Sequence, residues 1–205
     1  MRIREIISAK TLQIILVLSA IIVFCGCAAS RLTKRARARI DSVTISPKPS
    51  MPSEMEYFKD DLTPGSSSGL LGALMAINGV MRTNNINLGR LIVDEFREQL
   101  AAKQVFQSIV KYGGDAEFSF KIHFYGLRFR PFAKDEHLGV VLKVTVYLRK
   151  ANGALVWKAT ADCSPDRTDA YLWRTYVTEP ERLRMVFQQA ARVVVSDLFK
   201  DIETD

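Results

Sequence analysis

Two cysteines separated by one glycine end the first apolar stretch of the chain, in the segment IIVFCGCAAS. A thiol can attack a substrate, bind a metal, form a disulfide or accept a lipid, so its surroundings decide its chemistry. Cys27 has a glycine before it and two alanines after it, whereas Cys25 follows the bulky Phe24. Because a signal-peptide cut needs small side chains around it, we expect cleavage directly before Cys27 and loss of Cys25.

The residues in front of the cysteines are typical of a secretory signal. Arg2, Arg4 and Lys10 form a basic start, and residues 12–24 are almost wholly apolar. This run is shorter than the roughly 20 apolar residues that span a bilayer. The pattern therefore predicts a signal peptide over residues 1–26.

A cysteine at this place resembles the lipobox of bacterial lipoproteins, in which the thiol receives diacylglycerol before cleavage. A lipobox usually has Leu three residues before the cysteine and a small residue two before it, where this chain has Phe24 and Cys25. The third feature of a lipobox, a small residue directly before the cysteine, is present in this chain as a glycine. The resemblance implies that Cys27 is lipidated and anchors the chain in a membrane.

The alternative is an uncleaved signal anchor. Residues 28–39 carry five basic side chains, against three before the apolar run, and positive charge favours the cytoplasmic side. Such an anchor would leave the domain in the cytoplasm. The short apolar run and the small residues around Cys27 favour processing instead.

The positive charge of the chain is confined to this N-terminal arm. The whole chain carries a formal +7, of which residues 1–26 carry +2 and residues 28–39 carry +5, so residues 40–205 are neutral. A nucleic-acid-binding domain needs a basic face on the fold itself, and we expect no nucleic acid partner. Residues 27–39 are predicted to be a basic tether, either attracted to anionic headgroups or simply solvated.

The sequence contains no recognisable catalytic or metal-binding constellation. His123 and His137 have no partner at a known spacing and are predicted to lie on the surface. With Cys27 acylated, Cys163 is the one thiol left, so no disulfide framework is expected, and Cys163 is placed at a strand end. We therefore predict a non-enzymatic protein without cofactor or metal, and keep a periplasmic hydrolase with an unrecognised site as an alternative.

Residues 167–176 have the composition of a protein interface, since Arg, Tyr and Trp dominate binding hot spots. The candidate partner-binding residues are Arg167, Tyr171, Trp173, Arg174 and Tyr176. As an interface, this segment would present exposed aromatic side chains. Alternatively, Trp173 and one tyrosine fold back and cover the edge of the sheet, because a long loop must be tied down to be ordered.

Periodicity and turn residues predict the elements of the first half. A strand is expected within residues 40–48, followed by a linker rich in Pro, Ser and Gly. The apolar segment 69–81 is either a short helix packed on the domain or a loop that dips into a membrane. Asn87 is expected to cap an amphipathic helix over residues 88–103.

The second half is predicted to hold most of the sheet. Strands are expected over residues 105–110 and 116–126, the latter with a bulge after Gly126 and with four side chains on its buried face, namely Phe118, Phe120, Ile122 and Phe124. Asn152-Gly153 predicts a two-residue hairpin turn between strands 140–149 and 155–162. A capping box of Thr178 and Glu181 predicts the start of a last helix that ends near residue 200.

Together these elements predict an α+β domain over residues 40–205. An antiparallel-rich sheet carries two amphipathic helices on one face, in the order β-(linker, short helix)-α-β-β-β-β-α. The linker and apolar segment occupy residues 47–81.

The order of elements resembles small envelope lipoproteins of Gram-negative bacteria over roughly residues 40–200. The matching features are Val105-Phe106 after the helix, Ala116-Glu117 at a strand start, and Asn152-Gly153 followed by Val156-Trp157. The chain is similar to the auxiliary lipoproteins of ABC-type transport systems, the lipopolysaccharide-assembly lipoprotein, the N-terminal domain of TolB and the curli secretion lipoprotein.

This resemblance implies a non-catalytic accessory or assembly subunit of an envelope transport complex, with protein partners and a membrane anchor at Cys27. Ala28 stands where the inner-membrane retention signal of enteric bacteria has Asp, which implies the periplasmic face of the outer membrane. The alternative function is an oligomeric secretion or pore component that contacts the membrane through residues 69–81.

Overall fold

The computed structural model describes residues 31–57, 67–129 and 137–202, so the predicted signal peptide and Cys27 lie outside the described residues. The five helices in these ranges are α1 (Lys34–Arg37), α2 (Ser67–Thr83), α3 (Leu88–Ala102), α4 (Trp173–Thr178) and α5 (Pro180–Phe199). The strands are β1 (Ser42–Ile45), β2 (Glu56–Tyr57), β3 (Ser108–Ile109), β4 (Ala116–Phe129), β5 (His137–Lys150), β6 (Leu155–Cys163) and β7 (Tyr171–Leu172).

The sheet is mixed, in the order β3-β1-β4-β5-β6, with β2 on β4 and β7 on β5. The strand β1 runs parallel to β3 and β4, and β2 is also parallel to β4. The pairs β4–β5, β5–β6 and β5–β7 are antiparallel. The α+β class is confirmed, but the antiparallel-rich description and the element order are only partly right. After β1 the chain continues alongside β4 as far as β2. It then returns through α2 and α3 before β3 and β4 begin, and two parallel strands need such a crossover connection.

The core lies between the sheet and the helices α3 and α5. Phe96 of α3 is fully buried, and its ring centroid lies 5.0 Å from that of Phe118 and 5.1 Å from that of Phe120. The predicted helix cap is confirmed, because the Asn87 side chain accepts a hydrogen bond from the backbone N–H of Arg90 at 2.9 Å. The apolar stripe of α5 is buried as well.

The apolar segment 69–81 belongs to helix α2. Ala73 and Ile77 are buried, and the helix contacts α4. The prediction of a helix packed on the domain is therefore confirmed. In the part of the chain that the structure describes, no helix has the length and apolarity needed to cross a bilayer.

The bulge in β4 lies earlier than the sequence predicts. The register with β5 shifts between Ile122 and Phe124, not after Gly126. Tyr125 therefore turns to the helix side and is 5% exposed, whereas Phe124 is only half-buried. A bulge places two residues opposite one, so every later side chain of the strand changes face.

The hairpin between β5 and β6 has a three-residue loop rather than the expected two-residue turn. The backbone N–H of Gly153 donates to the Lys150 carbonyl at 2.8 Å, and the N–H of Lys150 donates to the Ala154 carbonyl at 2.9 Å. Gly153 has φ of +83°, whereas Asn152 is not in the left-handed region. A turn followed by one left-handed glycine is the usual three-residue hairpin.

Two other boundaries, the start of α5 and the extent of β3, differ from those that the sequence predicts. The helix α5 begins after Glu179 without a side-chain cap, so the predicted capping box is wrong. The hydroxyl of Thr178 instead donates to the Arg174 carbonyl at 3.1 Å, because Thr178 still belongs to α4. The strand expected over residues 105–110 is limited to β3.

The described part of the predicted basic tether folds onto the domain. Leu32 is fully buried and pairs with Ile202, and its N–H donates to the Asp201 carbonyl at 2.8 Å. Helix α1 follows, with Thr33 as its cap. The packed structure thus includes residues before the expected domain start at residue 40.

Candidate interaction surface at residues 167–176

A close approach of two backbone segments positions the predicted interface segment. A Cβ added to Gly139 of β5 would lie 2.1 Å from the carbonyl oxygen of Pro165, so only glycine admits this approach. Pro165 begins a short 3-10 helix that ends at Arg167. The segment then continues as β7, where Tyr171 pairs with Leu138, and as α4.

Tyr176 is a core residue rather than an exposed anchor. Its side chain is fully buried, and its hydroxyl donates to the carbonyl oxygen of Leu138 and accepts from the N–H of Tyr171. Tyr176 thus takes the alternative role of a tyrosine that covers the sheet. The sequence alone could not show this, because it depends on where α4 begins.

Tyr171 is half-buried and bound by an arginine of α5. Its hydroxyl accepts from a guanidinium N–H of Arg182 at 3.1 Å, and the guanidinium lies 5.1 Å from the ring centroid. The hydrogen bond to Glu179, followed by the one to Tyr171, raises the pKa of Arg182. Tyr171 is therefore held in place on the protein itself.

Arg167 connects this segment to the end of α5. Its guanidinium forms an ion pair with Asp197 at 2.5 Å and donates to the Asp162 carbonyl at 3.3 Å. The hydrogen bond from Arg167 lowers the pKa of Asp197. The exposed side chain of Arg167 thus holds the 3-10 helix against the domain.

Three neighbouring side chains present surface to solvent. Leu172 is 43% exposed, Arg174 is exposed, and Trp173 is half-buried against the core. The Arg174 guanidinium lies 5.6 Å from the Trp173 ring centroid. We call Leu172, Trp173 and Arg174 the α4 patch. Sequence reasoning missed Leu172, because a two-residue strand gives no alternation that could show its outward direction.

Of the titratable side chains singled out by the sequence, His137 is half-buried rather than exposed and pairs with Leu172 of this patch across β5 and β7, whereas His123 and Cys163 lie on other strands. His123 is half-buried rather than exposed, and its Nε2 lies 2.7 Å from the hydroxyl of Thr145. Burial, and then the charges of nearby lysines, lower the pKa of His123.

Cys163 lies at the end of β6 as expected, and burial raises the pKa of its thiol to about 12. In the described ranges, no group of three or more His, Cys, Asp or Glu residues could hold a metal ion.

No protein-family model matches the chain, and no curated protein sequence matches it. Solved structures similar to it include the PelC dodecamer from Paraburkholderia phytofirmans, with 14% identity over 81% of this chain and 91% of that one, and a TM-score of 0.37. The protein CT253 from Chlamydia trachomatis is 9% identical over 78% and 93%, with a TM-score of 0.44. A minor lipoprotein from Acinetobacter baumannii is 12% identical over 77% and 91%, with a TM-score of 0.30. At these TM-scores, none of the similarities carries an argument about function.

Proposed function

We propose that the protein is a non-catalytic lipoprotein of the bacterial envelope, anchored through Cys27, that acts as an accessory or assembly subunit of an envelope transport complex. The observation that carries this proposal is Cys27 itself, placed after a short apolar run and between small residues. The membrane expected from the resemblance is the outer membrane.

The fold supports a domain held close to the bilayer. Four residues separate Cys27 from the buried Leu32, so even a fully extended connection spans at most about 18 Å. Basic side chains are exposed at this end of the domain, namely Arg31, Lys34, Arg35 and Arg39. Each basic residue near an anionic leaflet contributes about 1 kcal/mol of attraction. The short connection and α1 would thus turn one end of the domain toward the membrane.

The partner surface that we propose is the α4 patch. A half-buried tryptophan with an arginine above its ring is the kind of side-chain pair found in interface hot spots. Leu172 adds an exposed apolar side chain beside them. Arg167 and Tyr171 precede the patch in sequence and are bound to α5, through Asp197 and Arg182 respectively.

Photo-crosslinking in intact cells tests this proposal. A crosslinking amino acid in place of Arg174 is expected to capture one defined envelope protein. The matched control is Tyr112, which is 79% exposed and lies outside the segment 167–176. Equal capture at both positions, or capture of no protein at Arg174, would contradict the proposed partner surface.

A further inference from the structure

The strand β6 forms a long edge of the sheet. It pairs with β5 on one side, in a regular register from Trp157 to Cys163, and none of the described strands pairs with it on the other side. Edge strands are usually short or interrupted, because their unpaired backbone groups can bond to another strand. The opposite edge follows this rule, since β3 has two residues, whereas β6 has nine.

The hairpin shows which backbone groups of β6 point to this edge. Both the N–H and the carbonyl of Lys150 bond across the loop, at 2.9 and 2.8 Å. Because bonded and non-bonded pairs alternate along an antiparallel ladder, the odd-numbered residues 157–163 bond to β5. The carbonyl of Asp162 agrees with this, because it accepts from the Arg167 side chain at 3.3 Å. The residues whose N–H and carbonyl groups face the edge are therefore Lys158, Thr160 and Asp162, and all three are exposed.

The charges along this edge are complementary to themselves. Lys158 and Asp162 lie two residues on either side of Thr160, on the same face of the strand. When a second β6 pairs antiparallel about Thr160, Lys158 of each copy lies directly opposite Asp162 of the other. Registers centred on Lys158 or on Asp162 would instead place two like charges opposite each other, which is destabilising.

Both charged side chains are available for this pairing. Within the described residues, neither Lys158 nor Asp162 forms an ion pair, although the Lys158 ammonium lies 5.7 Å from the ring centroid of Tyr147. Asp162 lies opposite Lys143 in the register with β5, but these two side chains are not ion-paired. The Asp162 carbonyl, which already accepts from Arg167, has a second lone pair for another donor.

We infer that two copies of the chain associate through β6 into a symmetric dimer, in which their sheets join about a two-fold axis at Thr160. Such an interface needs a surface that is complementary to itself, and the spacing of Lys158 and Asp162 has this property. A strand from a different protein would not need this symmetry of charge, so the edge favours a second copy. The inference rests neither on the lipid anchor nor on the α4 patch.

Charge reversal tests the register. The full chain, extracted in detergent, is expected to have the mass of a dimer in size-exclusion chromatography with light scattering. Lys158→Asp places two acidic side chains opposite each other at both symmetry-related positions, and Asp162→Lys places two basic ones. Each variant alone is expected to lower the association constant at least about tenfold. A native circular dichroism spectrum checks folding, because Asp162→Lys also faces Lys143 of the same copy.

Mixing the two variants restores complementarity. A Lys158→Asp copy is acidic at both positions and an Asp162→Lys copy is basic at both, so the two match across the pairing. Co-expressed with different affinity tags, they are expected to copurify, whereas two differently tagged Lys158→Asp copies are not. The variant that carries both exchanges should dimerise like the native chain. Failure of both rescues, or a native mass that neither single variant changes, would overturn the inference.

A proline tests the backbone pairing itself. Thr160→Pro removes an N–H that faces the edge and not β5, so the fold is expected to persist while the dimer is lost. The matched control Thr160→Ala keeps this N–H and should remain a dimer. Both variants lose the hydroxyl contact with Thr145 at 2.7 Å, so they differ at the backbone. A monomeric native chain, or an oligomer that persists in folded Thr160→Pro, would contradict the pairing, and the charge variants decide the question if Thr160→Pro fails to fold.

Discussion

The hydroxyl of Tyr176 donates a hydrogen bond to the carbonyl oxygen of Leu138 at 2.5 Å, and both residues are buried. This bond ties α4 to the start of β5. It also fixes the direction of the neighbouring α4 patch, since Trp173 and Arg174 lie within one helical turn of Tyr176. The most buried residue of the predicted interface thus positions the exposed ones.

Tyr176→Phe is expected to destabilise the fold by about 1–3 kcal/mol, because the buried Leu138 carbonyl loses its donor. The matched control is Tyr171→Phe, which removes a hydroxyl that bonds to the exposed Arg182 and is expected to cost less than about 0.5 kcal/mol. Urea unfolding of both variants measures these values. Equal losses would show that the Tyr176 bond does not hold α4 in place.

Asp115 joins the starts of β1 and β4. Its carboxylate accepts from the N–H groups of Asp41 and Ser42 at 3.0 and 2.9 Å and from the Ser42 hydroxyl at 3.1 Å. These bonds, led by the backbone N–H of Ser42, lower the pKa of Asp115. A pKa that is lower in the folded state gives stability above the unfolded pKa of about 3.9, and this stability is lost as pH falls through the folded value.

Asp115→Asn is therefore expected to lower the thermal midpoint at pH 7, and the difference from the native protein should shrink toward pH 3. The control is Glu98→Gln, which removes an exposed carboxylate on α3. Thermal unfolding followed from pH 3 to pH 7 checks the trend. A difference that grows on acidification would contradict the role of the carboxylate.

Substitutions in the α4 patch are expected to weaken partner binding. Arg174→Glu should reduce recovery of the partner in pull-downs about 30-fold or more, as for an interface hot spot of about 2 kcal/mol, without loss of thermal stability. Trp173→Ala should reduce recovery as well, and because Trp173 is half-buried it should also lower the thermal midpoint. Tyr112→Ala is the control. Full partner recovery with Arg174→Glu would remove the patch from the proposed function.

The residue after the lipidated cysteine is expected to decide the membrane. With Ala28 in place, density fractionation should find the protein with the outer membrane, and Ala28→Asp should move it to the inner membrane. Recovery of the native protein with inner-membrane vesicles would contradict the expected location.

The long amphipathic elements of this fold are predictable from the sequence. Leu88, Ile92, Phe96 and Leu100 recur at helical spacing, and Asn87 supplies the cap, so α3 follows from local signals. The strands β4, β5 and β6 likewise follow from alternation and from Asn152-Gly153. The exact positions of the β4 bulge and of the turn between β5 and β6 do not follow in the same way. Long-range packing decides them and outweighs the local sequence signal.

The candidate sites depend on such long-range packing. The bulge between Ile122 and Phe124 turns Tyr125 inward, where it is 5% exposed. The burial of Tyr176 depends on contact with Leu138, which lies far away in sequence. The lipidation site is the opposite case, because it is defined by side chains adjacent to Cys27.

Metabolic labelling with radioactive palmitate tests the central claim, the lipid anchor at Cys27, most directly. The native protein and the Cys25→Ala variant should be labelled and processed alike, because Cys25 is discarded with the signal peptide. The Cys27→Ala variant should carry no label and remain as the full-length precursor. Normal labelling and processing of Cys27→Ala would contradict the lipid anchor and, with it, the proposed function.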